Sequence, residues 1–220
     1  MEYERWEPVY LEILKDMGYD LDRDVESARL LDSICPRGRI CDDDCVSKLI
    51  MEEVTVVGHG PDLEDALERF EPHGGIIAAD GASSHLLDMD IVPALIVTDL
   101  DGDVPAELEC NAMGSVVAIH AHGDNMEAIR RHASSFEGMV IPTVQCRPFG
   151  CLRNYGGFTD GDRGVLLAAH FGARRVRLVG FDFDSPRRKG GGDSKIKLRK
   201  LAWARRIIFD ICRDIEIIMD

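Results

Sequence analysis

The chain has 220 residues, of which 40 are acidic and 26 basic, and its formal net charge of −14 at pH 7 excludes general binding to nucleic acids or anionic membranes. Hydrophobic residues make up 45% of the sequence, enough to bury a sizeable core, but no apolar run approaches the ~18–20 residues that a transmembrane helix needs. The sequence starts with acidic and polar residues, so we expect no signal peptide and a cytoplasmic protein.

Residues 1–52 differ in pattern from the rest and predict a small N-terminal helical region. Apolar residues at helical spacing begin at Trp6, and Gly18 ends this first amphipathic pattern. A second helical pattern covers residues 25–34 and ends before Cys35. We therefore expect two helices that precede the main domain.

The seven cysteines are an odd number, which disfavours a disulfide framework in a chain of this size. Cys35, Cys41 and Cys45 stand close together in the sequence, but they lack the tighter spacing and the second pair that are typical of a zinc or iron–sulfur site. The role of these three cysteines stays open.

From residue 53 onward, short apolar runs alternate with helical patterns. Strands that recur between helices predict parallel βαβ units, and near-continuous apolar runs such as residues 94–97 predict a sheet buried on both faces. We expect an α/β fold over 53–220, a Rossmann-like, mostly parallel sheet with helices on both faces. The predicted strands are 54–57, 76–79, 95–98, 115–119, 139–143, 176–180 and 215–219, and the longest predicted helix is 195–212.

Three aspartates follow the third predicted strand at alternate positions. Asp99, Asp101 and Asp103 fall at the carboxyl end of that strand, which is where open parallel sheets bind ligands. Such carboxylates supply oxygen ligands for Mg²⁺, which also takes oxygens from substrate phosphates. The alternative is that Asp99 or Asp103 caps the next helix. An EF-hand fits poorly because Gly102 separates the second and third aspartate.

Glycines and an aspartate follow the first two predicted strands. Gly58 and Gly60 form either a simple tight turn or a loop whose amides hold a phosphate. The third glycine of the dinucleotide fingerprint and a Walker A lysine are both absent. Asp80 and Gly81 form either a turn that caps a helix or a contact with metal or ligand. Both alternatives stay open for each pair.

Polar residues also follow the fourth predicted strand. His122, Asp124 and Asn125 are typical of a helix N-terminus, with Asp124 or Asn125 as the capping residue. The alternative is that His122 and Asp124 lie at phosphates or a metal ion.

Two more acidic segments complete the predicted rim of the sheet. Asp160 and Asp162 begin a predicted helix, where a capping role competes with ligand binding. Arg163 is unfavourable for the dipole in the first turn of that helix, which favours a phosphate-binding role. Asp182 follows the sixth predicted strand.

A local basic cluster stands out in this acidic chain. It surrounds three glycines and consists of Arg187, Arg188, Lys189, Lys195 and Lys197. We interpret it either as a solvated loop or as a mobile lid that brings positive charge to a polyphosphate.

Five motifs along the chain occur in an order that resembles a known family. They are A-A-D-G-A at 78–82, P-A-L-I-V-T-D-L-D-G-D at 93–103, H-A-H-G-D-N at 120–125, G-F-T-D-G-D-R at 157–163 and V-G-F-D-F-D at 179–184. This set resembles the archaeal 6-hydroxymethyl-7,8-dihydropterin diphosphokinase family, which is similar to thiamin pyrophosphokinase. The resemblance covers about residues 53–212 and, more loosely, the helical region before them.

The resemblance implies a transferase that moves pyrophosphate from ATP to the hydroxymethyl group of a dihydropterin and releases AMP, in tetrahydromethanopterin or folate-type cofactor biosynthesis. It implies Mg²⁺ as cofactor, ATP as co-substrate and 53–220 as the catalytic domain, and by analogy it allows a homodimer. Attack at the β-phosphorus rather than the γ-phosphorus rests on the resemblance alone.

The resemblance also groups the candidate residues by role. We expect the metal ligands to be Asp99, Asp101 and Asp103, with Asp80 and Asp124 as the next candidates. Asp101 is the expected catalytic residue, with Asp124 or His122 as the candidate general base, and the candidate phosphate ligands are Arg163, Lys189 and Lys195. Asp160 and Asp182 are candidates to face the pterin, and the remaining candidate binding residues are Gly58, Gly60, Gly81, Asn125 and Asp162.

Two other functions stay as alternatives to this one. Thiamin pyrophosphokinases carry related D-G-G-A-N and D-x-D-S patterns, from which this chain departs at residues 82–84 and at Gly102. These departures favour the pterin branch over a thiamin pyrophosphokinase. The second alternative is a non-catalytic nucleotide-binding or glycosyltransferase-like module that shares the acidic rim.

Overall fold

The computed structural model describes residues 1–71, 73–187 and 193–219. In these residues seven strands form one sheet in which all neighbouring strands are parallel. The strands are β1 Glu53–Val57, β2 Gly75–Ala79, β3 Leu95–Thr98, β4 Val116–Ala121, β5 Val140–Val144, β6 Arg175–Val179 and β7 Glu216–Met219. The predicted α/β fold with a parallel sheet is confirmed.

Helices fill the connections between the strands and also precede the first strand. They are α1 Tyr3–Met17, α2 Leu21–Ile34, α3 Asp43–Ser47, α4 Leu63–Leu67, α5 Ala82–Leu87, α6 Val104–Ala112, α7 Met126–His132, α8 Asp160–His170 and α9 Ser194–Arg206. In the described part of the chain, no helix is both long and apolar enough to cross a membrane.

The strand order is β5-β4-β3-β2-β1-β6-β7. Every residue of β3, β4 and β5 is buried, so helices cover both faces of the sheet, which explains their apolar sequences. The chain runs from β1 through β5 in one direction and then returns to place β6 on the other side of β1. The strand order therefore reverses between β1 and β6. In such sheets ligands commonly bind in the crevice at the carboxyl ends of the two strands where this happens.

The first two helices pack onto the sheet domain and share its core. Trp6 of α1 is fully buried, and its indole N–H donates to the main-chain carbonyl of Gln145 at 3.0 Å. On the other side of α1, Asp16 accepts a hydrogen bond from the Trp203 indole at 2.9 Å. Contacts to the residue after β5 and to α9 thus fix α1 against the domain that follows it.

Local signals explain where several helices begin and end. Gly18 ends α1 in the left-handed conformation with φ of 72°. Thr159 and Asp162 form a capping box at the start of α8: the Thr159 hydroxyl accepts from the Asp162 amide, and the Asp162 carboxylate accepts from the Thr159 amide. The helix predicted for 195–212 is correct as far as Arg206, after which a π-helical turn covers Ile207–Ile211.

The cysteine prediction needs a correction. Cys41 and Cys45 are joined by a disulfide, whereas the odd cysteine count disfavoured disulfide bonding. The two residues flank the N-terminus of the short helix α3, which brings them close enough to bond. Cys35 remains a free, buried thiol, so these three cysteines do not form a metal site in this structure.

Candidate active site

Three carboxylates from two loops converge beyond the carboxyl end of the sheet. Asp80 follows β2, whereas Asp99 and Asp101 follow β3. One oxygen of each carboxylate lies within 4.8 Å of the other two, close enough for one metal ion to be held by all three. Carboxylate oxygens suit a hard cation such as Mg²⁺. We refer to Asp80, Asp99 and Asp101 as the carboxylate cluster.

A tight turn after β3 brings Asp99 and Asp101 together. The Leu100 amide donates to the Thr98 hydroxyl at 2.8 Å, and the Asp101 amide donates to Asp99 Oδ1 at 3.3 Å. Leu100 and Asp80 have positive φ values of 68° and 49°. Such a backbone costs about 1–3 kcal/mol outside glycine and tends to occur at functional sites. Both loops of the carboxylate cluster therefore carry backbone strain.

Asp103, the third aspartate of the predicted metal set, lies outside the carboxylate cluster. Its side chain accepts a hydrogen bond from the Ala106 amide at 3.2 Å and caps α6. This is the capping role that the sequence left open as the alternative. Asp80, from the preceding loop, completes the cluster instead.

His122 orients Asp99. Its Nε2 lies 3.1 Å from Asp99 Oδ2, and its Nδ1 accepts from the Asp124 amide at 3.3 Å. With Nδ1 as the acceptor, Nε2 is the ring nitrogen that donates to Asp99. Burial disfavours the charged form of Asp99, but His122, with Arg163 and Lys200 farther away, outweighs burial and lowers the pKa of Asp99 to about 2.

Asn125 holds the loops after β3 and β4 together. Its side-chain amide donates to the main-chain carbonyls of Asp99 at 2.8 Å and His120 at 2.7 Å, and its carbonyl oxygen accepts from the His122 amide at 3.0 Å. Asn125 begins α7 without a side-chain capping bond, and it is almost fully buried. Its structural role is therefore to position Asp99 and His122.

Two adjoining cavities open at this end of the sheet. The first cavity has a volume of about 250 Å³. Residues from the segments 58–60, 159–161, 180–187 and 197–204 line it. The second cavity, of about 340 Å³, is lined by residues 18–24, 99–101, 122–124, Gln145, 158–163 and two lysines of α9. Four residues line both cavities: Thr159, Asp160, Lys197 and Lys200.

The carboxylate cluster lies at the border of the two cavities. Asp80 lines the first cavity, and Asp99 and Asp101 line the second. Lys197 and Lys200, which line both, bring positive charge to the same border. The arrangement brings metal-binding oxygens and basic groups to one place that two separate ligands can reach.

The basic residues at this border differ in part from those that the sequence suggested. Lys197 and Lys200 are three residues apart and share one face of α9, whereas Lys195 lines neither cavity. Arg187 lines the first cavity and pairs with Glu64. Lys189 lies outside the described residues. Lys200 was not singled out from the sequence, although the helical spacing from Lys197 is a signal for it.

Arg163 is buried in the wall of the second cavity. Its guanidinium donates to the Phe158 carbonyl at 2.8 Å, to Asp160 Oδ1 at 3.2 Å and to Gln145 Oε1 at 3.4 Å. These bonds fix the positive group in one orientation within the cavity wall.

The neighbouring aspartates have different surroundings. Asp162 is fully buried and accepts from the Phe158 and Thr159 amides and the Thr159 hydroxyl, so it serves the helix cap and lines neither cavity. Asp160 lines both cavities. Burial, and then the negative charge of Asp99, raise the pKa of Asp160 well above its ordinary value.

Asp24 and Gln145 connect the N-terminal helices to the second cavity. The Asp24 carboxylate accepts from the Tyr10 hydroxyl at 2.6 Å, the Gly123 amide at 2.7 Å and Gln145 Nε2 at 2.8 Å. Sequence reasoning missed both residues. Asp24 does fall on the buried face of α2 with Ala28 and Leu31, and a carboxylate at such a position was the available signal.

The loops after β1 and β6 form the floor of the first cavity. The Gly60 amide donates to the Gly180 carbonyl at 2.8 Å, and the Asp182 side chain accepts from the amides of Asp184 and Ser185 in a local turn. Gly58, Gly60 and Asp182 line this cavity, whereas Gly81 lines neither cavity.

Glu107 of α6 is a fully buried acid near the carboxylate cluster. Neither of its carboxyl oxygens has a hydrogen-bond partner among the described residues. Burial raises the pKa of Glu107 to about 8, and the negative charge of Asp80 adds to this shift. At neutral pH this side chain is therefore mostly a neutral carboxylic acid.

Known proteins resemble this chain over most of its length. A family model described as 6-hydroxymethylpterin diphosphokinase MptE-like matches residues 41–188. The chain is 42% identical over 225 residues to the 6-hydroxymethyl-7,8-dihydropterin pyrophosphokinase of Methanothermobacter thermautotrophicus, with 94% of each chain covered. It is 37% identical to the protein of that name from Methanocaldococcus jannaschii, with 99% of this chain and 98% of the relative covered.

A solved structure also resembles the fold. The MAf glycosyltransferase from Magnetospirillum magneticum matches 90% of this chain and 37% of its own chain, with a TM-score of 0.54 and 18% sequence identity. At this identity the likeness concerns the fold alone.

Proposed function

The chain belongs to the MptE-like family of 6-hydroxymethylpterin diphosphokinases, and from this premise we propose that it transfers pyrophosphate from ATP to the hydroxymethyl group of 6-hydroxymethyl-7,8-dihydropterin and releases AMP. The observation that best supports this proposal is the carboxylate cluster at the border of two cavities. A reaction between two substrates through a polyphosphate requires this arrangement, because both substrates must meet at one charged point.

The carboxylate cluster fits Mg²⁺ as the resident cation. Three convergent carboxylates provide hard oxygen ligands, and Asp99 is held ionised by His122. When bound, Mg²⁺ would offset the negative charge of the phosphates during the transfer. Lys197 and Lys200 at this border, and Arg163 in the wall of the second cavity, would contact the remaining phosphate oxygens.

The proposed transfer is a displacement at the β-phosphorus of ATP. The hydroxymethyl oxygen of the pterin forms a bond to this phosphorus while the bond between the phosphorus and the α-phosphate oxygen breaks. AMP leaves with the electron pair of the broken bond. The fixed loops contribute mainly by holding the two reacting atoms in line.

Asp124 is the side chain that we propose as acceptor of the hydroxyl proton. It lines the second cavity, whereas His122, the other candidate, already donates its Nε2 proton to Asp99 and accepts at Nδ1. His122 therefore acts as a positioning residue for Asp99, and Asp124 remains the acceptor that a substrate in the second cavity can reach.

The proposal is tested by incubating the protein with ATP, Mg²⁺ and 6-hydroxymethyl-7,8-dihydropterin, with thiamin in a parallel reaction, and by identifying the products by mass. We expect AMP and the pterin diphosphate, and no thiamin diphosphate. ADP as the product would contradict attack at the β-phosphorus. Tight ATP binding without turnover of either alcohol would contradict the enzyme assignment.

Two matched variants test the carboxylate cluster. Asp101→Asn removes a charged ligand oxygen, and we expect kcat to fall by about 100-fold or more while the fold is retained. Asp103→Asn keeps a residue that caps α6 equally well, and we expect kcat within about three-fold of wild type. Equal losses in the two variants would favour the alternating set Asp99, Asp101 and Asp103 over the observed cluster.

A further inference from the structure

We propose that the two cavities separate the substrates, with the nucleotide in the first cavity and the pterin ring in the second, where Tyr19, Asp24 and Gln145 determine specificity. This inference rests on the proposed function and adds to it a place for each substrate. It also gives the N-terminal helices a functional role, because Tyr19 lies in the connection between α1 and α2, and Asp24 lies in α2.

The position of the first cavity favours the nucleotide. It lies directly beyond β1 and β6, where the strand order reverses, and this is the usual place for nucleotides in open parallel sheets. Its floor is main chain, since Gly60 and Gly180 bond to each other through backbone groups. Phe181 and Leu201 add apolar surface for a base.

Charge separates the two cavities as well. Three carboxylates and three basic side chains line the first cavity, whereas six carboxylates and four basic side chains line the second. A polyanion such as ATP is therefore less favoured in the second cavity. A neutral ring with N–H and amino donors is suited to it, because carboxylates and amide oxygens accept hydrogen bonds from such groups.

The second cavity is preorganised for a flat, polar ring. Gln145 is held between Asp24 at 2.8 Å and Arg163 at 3.4 Å, so its side chain has one fixed orientation. The rings of Tyr19 and Phe158 lie at 6.2 Å from each other and add aromatic surface to the wall. A rigid wall of this kind selects a ligand by its pattern of donors and acceptors and lowers the ordering cost of binding.

The cluster at the border fits this division. Asp80 faces the nucleotide side, and Asp99 and Asp101 face the pterin side, together with Asp124. A polyphosphate that extends from the first cavity toward the second would therefore present a phosphorus atom near the pterin hydroxyl. Asp160 is accessible from both sides, whereas Asp182 lies on the nucleotide side alone.

Two alanine variants, one per cavity, test the division. Tyr19→Ala is expected to raise the KM for the pterin by about ten-fold and to leave the KM for ATP within about two-fold of wild type. Leu201→Ala changes only the first cavity, so it is expected to raise the KM for ATP and to leave the KM for the pterin nearly unchanged. Tyr19→Phe keeps the aromatic ring and should restore most of the pterin KM.

Direct titration of each variant with 6-hydroxymethylpterin alone and with ATP alone, followed by calorimetry, gives the same comparison without turnover. A reversed pattern, equal effects on both ligands or no effect on either would overturn the division. If each variant weakens the binding of its own ligand as expected but the wild type forms no diphosphate, the proposed function fails. The division of the cavities then still stands.

Discussion

The two cavities are built from different parts of the chain. The floor of the first is formed by the glycine-containing loops after β1 and β6, whose main chains bond to each other at Gly60 and Gly180. The second is bounded by buried polar side chains that bond to one another, with Asp24 at the centre of three of these bonds. A wall of main chain is sensitive to an added Cβ atom, whereas a wall of interlocked side chains is sensitive to the loss of a single polar atom.

The largest effect is expected at the border that both cavities share. A Cβ atom at Gly102 would lie 2.2 Å from Asp80 Oδ1, so Gly102→Ala must displace this carboxylate from the cluster. We expect kcat to fall by about 100-fold, or about 2.7 kcal/mol of activation free energy, and Mn²⁺ binding measured by electron paramagnetic resonance to weaken in parallel.

Gly38→Ala is the matched control, because a Cβ atom there meets nothing within 4 Å. We expect its kcat and its melting temperature to equal those of wild type. If Gly102→Ala retains full Mn²⁺ affinity, Asp80 is not part of a metal site.

The next largest effect concerns the second cavity. Asp24→Asn places an N–H group where the carboxylate accepts from three donors, and we expect the free energy of unfolding to fall by about 2–3 kcal/mol in urea titration. Tyr10→Phe removes one donor only and should cost about 1 kcal/mol.

The corresponding change in the first cavity should have little effect. Asp182→Asn keeps an oxygen that can accept from the amides of Asp184 and Ser185, so we expect a change below about 0.5 kcal/mol. If Asp182→Asn and Asp24→Asn destabilise the protein equally, the contrast between the two walls is wrong.

A methyl group added in the first cavity is expected to have a smaller effect than Asp24→Asn. A Cβ atom at Gly60 would lie 2.5 Å from the Gly180 carbonyl oxygen, and this main-chain atom cannot move aside as a side chain can. Gly60→Ala should raise the KM for ATP by about ten-fold and change the KM for the pterin by less than about two-fold, as measured by steady-state kinetics. Loss of both affinities together would show that the cavities do not act separately.

The last effect concerns Glu107, near the cluster, and it is smaller than the effects expected at Asp24 and Gly60. Its pKa is about 8 in the folded protein and lies near 4.3 when the chain is unfolded, so at pH 7 the folded state holds a proton that the unfolded state has lost. The resulting stability is complete below the unfolded pKa and is lost as pH rises through the folded pKa.

We expect this group to lower the free energy of unfolding by about 1 kcal/mol between pH 7 and pH 8 in the presence of EDTA. Glu107→Gln removes the titration and should show less than half of this change in urea titrations at the two pH values. An equal change in wild type and variant would assign the pH dependence to other groups.

The acidic strand-end motifs were predictable because they depend on local sequence. Buried parallel strands have continuous apolar runs, and a parallel sheet places all of their carboxyl ends at one edge, so the pattern of strands alone predicts that the loops after β2 and β3 meet there. It does not predict that Asp80 joins Asp99 and Asp101 in place of Asp103. The sequence could not separate Asp101 from Asp103, because both carboxylates stand next to a helix start and only the turn geometry assigns one to the cluster and the other to the cap.

Only the tertiary structure placed Asp24, Gln145 and Lys200 at the site. Gln145 directly follows β5 but belongs to none of the strand-end motifs that the sequence singled out. Asp24 reaches the second cavity because α2 packs against β4 and β5, and Lys200 reaches it from α9, which packs against α1 and α8. Local sequence determines which segments become strands and helices, since periodicity and capping act over a few residues. Long-range packing determines which polar side chains are brought together, since burial of the helices' apolar faces against the sheet sets their final positions.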